Sequence, residues 1–305
     1  MSIPDVLTGR AVHVTVCGLS DAGRRRSENQ DSFLIADLGA PAAEGPWRVS
    51  TDGGAPVSAR FGVGPRGVLA VVADGMGGAA AGAVASRLAV AEIYGAMASW
   101  GAEAEPTTER FARRLRQAVD GANASIHAHA GRDPQCDGMG TTVTAAGILD
   151  GCLFLAQVGD SRAYLVRGGR IRQLTRDQSL VQSLMDAGTL TEDEAERSGY
   201  ASVLLQALGP RARVEVDLTR QQVRRGDLLI LCSDGLFRTM SAAAIADAAE
   251  RAADLAELCR ELVEAANARG GPDNVTVVAA LLDGPGLEAP RDDDAVGRSP
   301  YDPGA

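Results

Sequence analysis

A chain of 305 residues, 45% hydrophobic and 23% charged, has the composition of a soluble globular protein with a sizeable core, and its net charge of -10 argues against a broad nucleic-acid surface, which needs a basic field. The five cysteines, Cys17, Cys136, Cys152, Cys232 and Cys259, are odd in number and never at C-x-x-C spacing, so neither a disulfide framework nor a zinc site is suggested. With no signal-peptide core in residues 1–10 and no apolar run long enough for a bilayer, the chain is expected in the cytoplasm, away from membranes.

Residues 11–19 alternate Val12, Val14 and Val16 with His13, Thr15 and Cys17, the period of a strand with one face in a core. A polar loop follows, carrying Arg24, Arg25 and Arg26 ahead of Asp31, and then a short strand at 32–36. Three arginines beside an acid invite a phosphate, although the commoner reading of an arginine triplet is a solvated charge run. Residues 38–67, rich in Gly, Pro and Ala, suggest a loop excursion with a hairpin at Asp52-Gly53. Six apolar residues, Val68 to Ala73, then read as a buried strand that Asp74-Gly75-Met76-Gly77-Gly78 breaks off, with an Ala-rich helix behind it at 79–100. A carboxylate is left at a strand end beside glycines that admit close backbone approach, a common way to build a metal or phosphate site. For this stretch alone, a plain Asp-Gly turn is the competing reading.

Phe111, Leu115, Val119, Ala122 and Ile126 recur at helical spacing and predict a second amphipathic helix over 107–129. Its His127 and His129 cannot share a face, and His13 is the only other histidine, so a histidine metal cluster is not expected. Strands at 141–149, 152–158, 162–166 and 170–174 are joined by short links, which makes this part of the sheet antiparallel. Residues 177–199 look helical, with Thr191-Glu-Asp-Glu194 as a capping box. Further strands are expected at 214–218 and 228–231, the second ending at Ser233-Asp234-Gly235. Helices follow at 241–252 and 254–268, and Asp273-Asn274 leads into a last strand at 275–282. Beyond it Pro, Gly and Asp dominate, so residues 1–283 are expected to form one domain and 284–305 a disordered acidic tail.

Asp31, Asp74, Asp137, Asp160, Asp234 and Asp273 all flank strands, mostly beside glycine. Carboxylates and carbonyls are hard oxygen ligands that select Mg²⁺ or Mn²⁺, and several acids meeting in one place repel one another unless cations lie between them. The natural inference is a dinuclear centre, which can lower the pKa of a water and hold both oxygens of an in-line displacement, as hydrolysis of a phosphate ester requires. P-loop and kinase readings fail for want of G-x-x-x-x-G-K and H-R-D stretches.

The ordered set Arg26-x-x-Asn-Gln-Asp31, Ala73-Asp-Gly-Met-Gly-Gly78, Asp137-Gly-Met-Gly-Thr-Thr142, Val158-Gly-Asp-Ser-Arg162, Cys232-Ser-Asp-Gly-Leu236 and Asp273-Asn-Val-Thr276 closely resembles the PP2C (PPM) metal-dependent serine/threonine phosphatases of bacterial type. The resemblance implies a four-layer αββα sandwich, an α+β fold in which two antiparallel sheets are flanked by helices. It also implies two Mn²⁺ or Mg²⁺ ions, bridged by Asp74, with the Gly75 carbonyl on one of them and Asp234 and Asp273 completing the other. Asp31 would orient metal-bound water, Arg26 would grip the substrate phosphate, and Asp137 would hold a weaker third ion; Arg24 and Arg25 keep the bland reading. Asp160 and Arg162 match a mainly structural motif and stay outside the ligand set. Met76 stands where animal enzymes carry a proposed general acid, so the proton for the leaving alkoxide would come from metal-bound water. Gln30 stands where many members have glutamate. Arg238 stands where some members have an acid near the third ion, which should weaken that site. The implied function is hydrolysis of phosphoserine and phosphothreonine in proteins, substrates of a cognate kinase, by a monomer whose 177–205 segment forms a flap. Alternatives are a catalytically impaired phosphoprotein-binding relative and a small-metabolite phosphatase; intact Asp74, Asp234 and Asp273 favour the enzyme.

Overall fold

The apolar runs and period-two alternations sort the strands into two antiparallel sheets. The computed structural model describes residues 11–40, 47–49, 54–78, 81–99, 107–196, 198–200, 202–291 and 293–304; the expected Asp52-Gly53 hairpin and residues 1–10 lie outside them. The first half runs β1 (His13–Asp21), β2 (Asp31–Asp37), β3 (Trp47–Val49), β4 (Val57–Gly62), β5 (Val68–Met76), α1 (Ala81–Ala98), α2 (Thr108–Ala130), β6 (Gly140–Thr141) and β7 (Val143–Leu149). The second runs β8 (Cys152–Val158), β9 (Arg162–Arg167), β10 (Arg170–Gln173), α3 (Leu180–Asp186), α4 (Glu192–Glu196), β11 (Asp217–Gln222), β12 (Leu228–Cys232), α5 (Asp234–Phe237), α6 (Ala242–Arg251), α7 (Leu255–Ala268) and β13 (Val275–Asp283). One sheet has the order β10-β9-β12-β13-β1-β4 and the other β11-β8-β7-β5-β2-β3, with β6 paired to the end of β5.

Side chains alternate across each strand, so each sheet has two buried faces to cover. Phe33, Ile35, Val72, Ile148 and Leu155 of one sheet meet Val14, Val16, Leu165, Leu231 and Val278 of the other in the central core. The opposite face of the β5 sheet, through Leu69, Val71 and Phe154, packs on Ala85, Ala89 and Ile93 of α1 and Phe111, Leu115 and Val119 of α2. Alanine at these α1 positions brings the helix close to the sheet. The outer face of the other sheet, with Cys17, Ile230 and Val277, is covered by Ile245 of α6 and Leu258 and Leu262 of α7. Each large apolar side chain buried this way contributes about 1.5–3 kcal/mol. The result is the αββα sandwich that the resemblance implied.

Four stretches depart from the sequence reading. The 38–67 excursion contains β3 and β4, which extend the two sheets as edge strands on β2 and β1. The 177–199 segment holds two short helices, α3 and α4; the capping box forms there, with Thr191 N–H donating to Glu194 Oε2 at 2.8 Å. The strand expected at 214–218 lies at Asp217–Gln222, and Val214 and Val216 pack instead against the α1–α2 core. The tail follows an ordered path: Tyr301 N–H donates to the Leu218 carbonyl at 2.8 Å, and its ring lies 5.6 Å from that of Phe154. Arg298 and Arg224 add ion pairs to Asp217 and Asp294, both at 2.8 Å. Composition hid this because the tail is held by single anchors, Leu287 buried in the central core and Tyr301 on Phe154, together with charge pairs, rather than by a periodic apolar face.

Candidate metal centre

The acids of the site stand where strands begin or end, so sheet register decides how they meet. Asp31 opens β2 and lies directly opposite Asp74 near the end of β5. In the other sheet β12 stops at Cys232, Ser233 precedes Asp234 at the start of α5, and Asp273 comes just before β13, the antiparallel neighbour of β12. Two hydroxyls join the sheets. Ser233 Oγ and Thr276 Oγ1 both donate to Asp31 Oδ2, at 2.6 and 2.7 Å. Asp31 is fully buried, and its Oδ1 has no hydrogen-bond partner among the described residues.

Glycine supplies the close approaches. A Cβ on Gly75 would fall 2.2 Å from the Gly82 carbonyl oxygen and 2.6 Å from that of Gln30, and one on Gly235 would fall 1.9 Å from the Asn274 carbonyl oxygen. Only a residue without a side chain lets β5 end against α1 and lets Asp234 sit against the start of β13. The Asp74 carbonyl accepts from Thr141 Oγ1 and Thr142 N–H, both at 2.9 Å, which fixes the backbone behind the carboxylate. Asn274 ties down the arginine loop: its amide donates to the Ala22 and Glu28 carbonyls and its Oδ1 accepts from Gln30 N–H, each at 2.9 Å.

Burial raises every inner carboxyl. It pushes Asp31 up to about 7, against the two hydroxyls, with Asp234 and Asp273 adding to the rise. Asp74 is driven well above the usual carboxylate range by burial first, and then by Asp31, Asp234, Asp160 and Asp273. Asp234 is raised by burial, which outweighs the pull of Arg238; Asp273 adds to the rise, and Asp74 lies within reach of its carboxyl. Two carboxyls in such contact need a proton or a cation between them.

Two arginines supply part of that positive charge. Arg26 Nη2 lies 2.7 Å from Asp273 Oδ2 with its side chain 56% exposed, at the mouth of the site. Arg238 Nε lies 2.9 Å from Asp234 Oδ2, and its Nη2 reaches Asp160 Oδ2 at 3.5 Å. Five acids of a hard-oxygen set, one with an orphaned buried oxygen, fit a pair of Mg²⁺- or Mn²⁺-type cations better than they fit two guanidinium groups.

The structure brings together Asp31, Asp74, Gly75, Asp234, Asp273 and Arg26. Asp137 is exposed just after the 3-10 turn Pro134–Cys136, three residues before the strand that pairs with Gly75 and Met76. Asp160 is 4% exposed, is pushed up to about 7 by burial and by Asp234, and counts among the charges acting on Asp74. It therefore belongs to the acidic cluster, and Arg238 lies inside that cluster between Asp160 and Asp234. Arg162 is the structural member of its motif, paired with Asp177 at 2.7 Å and stacked 3.8 Å from the Phe237 ring centroid. Met76 ends β5 at the rim, 37% exposed. Ser233, Asn274 and Thr276 were missed as positioning residues; their signal was their place inside the two motifs that carry Asp234 and Asp273.

Comparison with known proteins follows the same lines. The chain is 42% identical over 212 residues to the serine/threonine protein phosphatase PstP of Mycobacterium tuberculosis, covering 70% of this chain but only 40% of that protein's length. It is 36% identical over 214 residues to the protein phosphatase PhpP of Streptococcus pneumoniae, covering 70% and 85% of the two chains. The crystal structure of the M. tuberculosis phosphatase superposes with a TM-score of 0.72 at 35% identity, over 89% of this chain and 99% of that one. A structure of the PstP catalytic domain in complex with 2 manganese ions gives 0.71 at 34% identity, over the same shares of 89% and 99%. The family model for protein phosphatase 2C matches residues 58–282, which contain Asp74, Asp160, Asp234 and Asp273, and the chain belongs to that family.

Proposed function

We propose that this chain is a metal-dependent phosphatase that hydrolyses phosphoserine and phosphothreonine monoesters in proteins. The observation that carries the reading is the buried meeting of Asp31, Asp74, Asp160 and Asp234, with the Arg26–Asp273 pair at its mouth. Asp74, the Gly75 carbonyl, Asp234 and Asp273 would hold two Mn²⁺ or Mg²⁺ ions, with Asp137 on a weaker third. When bound, these ions would supply activation of a water and neutralisation of phosphate charge.

The protein's own groups do the rest. Arg26 presents a planar guanidinium on an exposed arm, suited to grip a phosphate bidentately as the ester enters. Asp31 is anchored through Oδ2 by two hydroxyls, which leaves Oδ1 as the buried acceptor that aligns the attacking water and holds its proton. Met76 at the rim has no proton to give, so the leaving alkoxide would take its proton from a water held at the site rather than from this side chain.

Substrates are phosphoproteins of a cognate serine/threonine kinase, met by a monomer in the cytoplasm; among the described residues all five thiols are unbridged, which suits a reducing compartment, and no helix is long and apolar enough to cross a membrane. The test is release of p-nitrophenol from its phosphate ester, and of phosphate from a phosphothreonine peptide, as Mn²⁺ is titrated. No Mn²⁺-dependent turnover in a well-folded preparation would rule the reading out.

A further inference from the structure

A second cluster of ligating atoms lies at the C-terminal end of α2. His129, Asp133 and Cys136 place one nitrogen, one carboxylate oxygen and one sulfur within 4.8 Å of one another. We propose that these three residues bind one Zn²⁺ ion, as a clip separate from the acidic centre that orders the chain between α2 and β6.

The local geometry is already close to a zinc site. Cys136 Sγ lies 3.8 Å from Asp133 Oδ2. With zinc bonds of about 2.3 Å to sulfur and about 2.1 Å to oxygen, the corresponding edge of a tetrahedron is about 3.6 Å. Asp133 Oδ1 is occupied by the Gln135 N–H at 2.9 Å, as the cap of the 3-10 turn, and this turns Oδ2 toward the sulfur. The His129 carbonyl accepts from Arg132 N–H at 3.0 Å and Asp133 N–H at 3.2 Å, so the turn that brings the imidazole to the other two ligands is closed before any ion arrives. Cys136 is 6% exposed and fixed, while His129 is half-buried and can close the remaining gap by rotation. His127 is committed elsewhere, its Nδ1 lying 2.7 Å from the Gly209 carbonyl oxygen. Three protein ligands leave a fourth position for water.

Ligand chemistry keeps the two sites apart. Sulfur and nitrogen select zinc, whereas the all-oxygen cluster around Asp74 suits Mg²⁺ or Mn²⁺. The clip also has a route to that cluster. The Cys136 carbonyl accepts from Met139 N–H at 3.0 Å, Gly140 and Thr141 pair with Met76 and Gly75, and Thr141 Oγ1 donates to the Asp74 carbonyl. An ion on Cys136 therefore steadies the strand against which the Asp74 backbone rests. The three residues follow a mixed H-x-x-x-D-x-x-C spacing, distinct from C-x-x-C and from paired histidines.

The test uses the full chain, stripped of metal and then held in saturating Mg²⁺ so that the acidic centre is filled. Zn²⁺ is titrated against a chromogenic indicator, and Co²⁺ serves as the probe for thiolate ligation. One equivalent of zinc is expected, with a thiolate-to-cobalt charge-transfer band and slower amide exchange over residues 133–140 on zinc binding. Cys136→Ser and His129→Ala should each remove the band and weaken zinc by more than the roughly 10–100-fold that loss of an outer-sphere partner costs. Both variants should keep their circular dichroism and their zinc-free, Mn²⁺-dependent turnover, and Asp74→Asn should keep the band. Zinc uptake that survives Cys136→Ser, or that disappears in Asp74→Asn, would overturn the proposal, as would unchanged amide exchange.

Discussion

Asp31→Asn offers a direct reading of what the buried acids cost the fold before metal arrives. Burial lifts the Asp31 carboxyl from 3.8 to about 7, and a rise of that size corresponds to about 4 kcal/mol in favour of the neutral form. Between those two values the folded chain holds the proton and the unfolded chain has lost it. The folded state therefore binds more protons, and stability falls as pH rises. The contribution is fully present below about pH 4 and gone above about pH 7. Asparagine has the same shape and no charge, and its Oδ1 can still accept from Ser233 Oγ and Thr276 Oγ1, which lie 2.6 and 2.7 Å from Asp31 Oδ2. In EDTA, Asp31→Asn is expected to be more stable than the parent by about 2–4 kcal/mol at pH 8, with the advantage gone at pH 4. Urea midpoints across this range measure it, and saturating Mn²⁺ should erase the difference by supplying the missing positive charge. An advantage of equal size at both pH values, or none at pH 8, would refute the reasoning.

Asp74→Asn should lose at least about tenfold in turnover with unchanged circular dichroism, since an amide cannot give a full negative charge to cations; a folded variant above a tenth of parental rate contradicts the assignment. Arg26→Ala should raise KM for phosphate monoesters while Mn²⁺ affinity by calorimetry stays within a few fold, because the guanidinium paired with Asp273 is 56% exposed and its charge is screened by solvent. Tyr301→Ala should cost about 1–2 kcal/mol through the lost contact with Phe154 and the Arg220 guanidinium, with metal-saturated turnover unchanged; no shift in the urea midpoint would mean that the Tyr301 contact contributes nothing to the fold.

The sandwich was legible where apolar period and length agreed. The six-residue run of β5, the hairpin chain β7 to β10 and the amphipathic stripe of α2 each bury a face that the sequence writes out plainly. The missed strands β3 and β4 are edges in a Gly- and Pro-rich stretch, where one neighbour suffices and no apolar run is needed. Asp74, Asp234 and Asp273 could be read because each sits at a strand end beside glycine or asparagine. The contact between Asp160 and Arg238 could not be read, because it depends on β9 and β12 lying side by side. No spacing within one strand announces that neighbour.

That contact makes Arg238 a resident cation in a site meant for metal. Its Nε lies 2.9 Å from Asp234 Oδ2 and its Nη2 3.5 Å from Asp160 Oδ2, so it offsets charge repulsion in the metal-free chain and repels any divalent ion that Asp234 would take. Replacing it with a neutral side chain of similar reach, Arg238→Met, should act on both terms at once. Metal-free stability should fall by about 1–3 kcal/mol, because two buried carboxyls lose their partner. Mn²⁺ affinity should rise by tenfold or more, because a unit charge a few ångströms from a divalent ion is worth several kcal/mol even at an effective dielectric of about 20. Isothermal titration with Mn²⁺ and urea melts in EDTA give the two quantities separately. A structural arginine that merely braces α5 would lower stability and leave the affinity flat or weaker, and that result would remove Arg238 from the electrostatics of the centre.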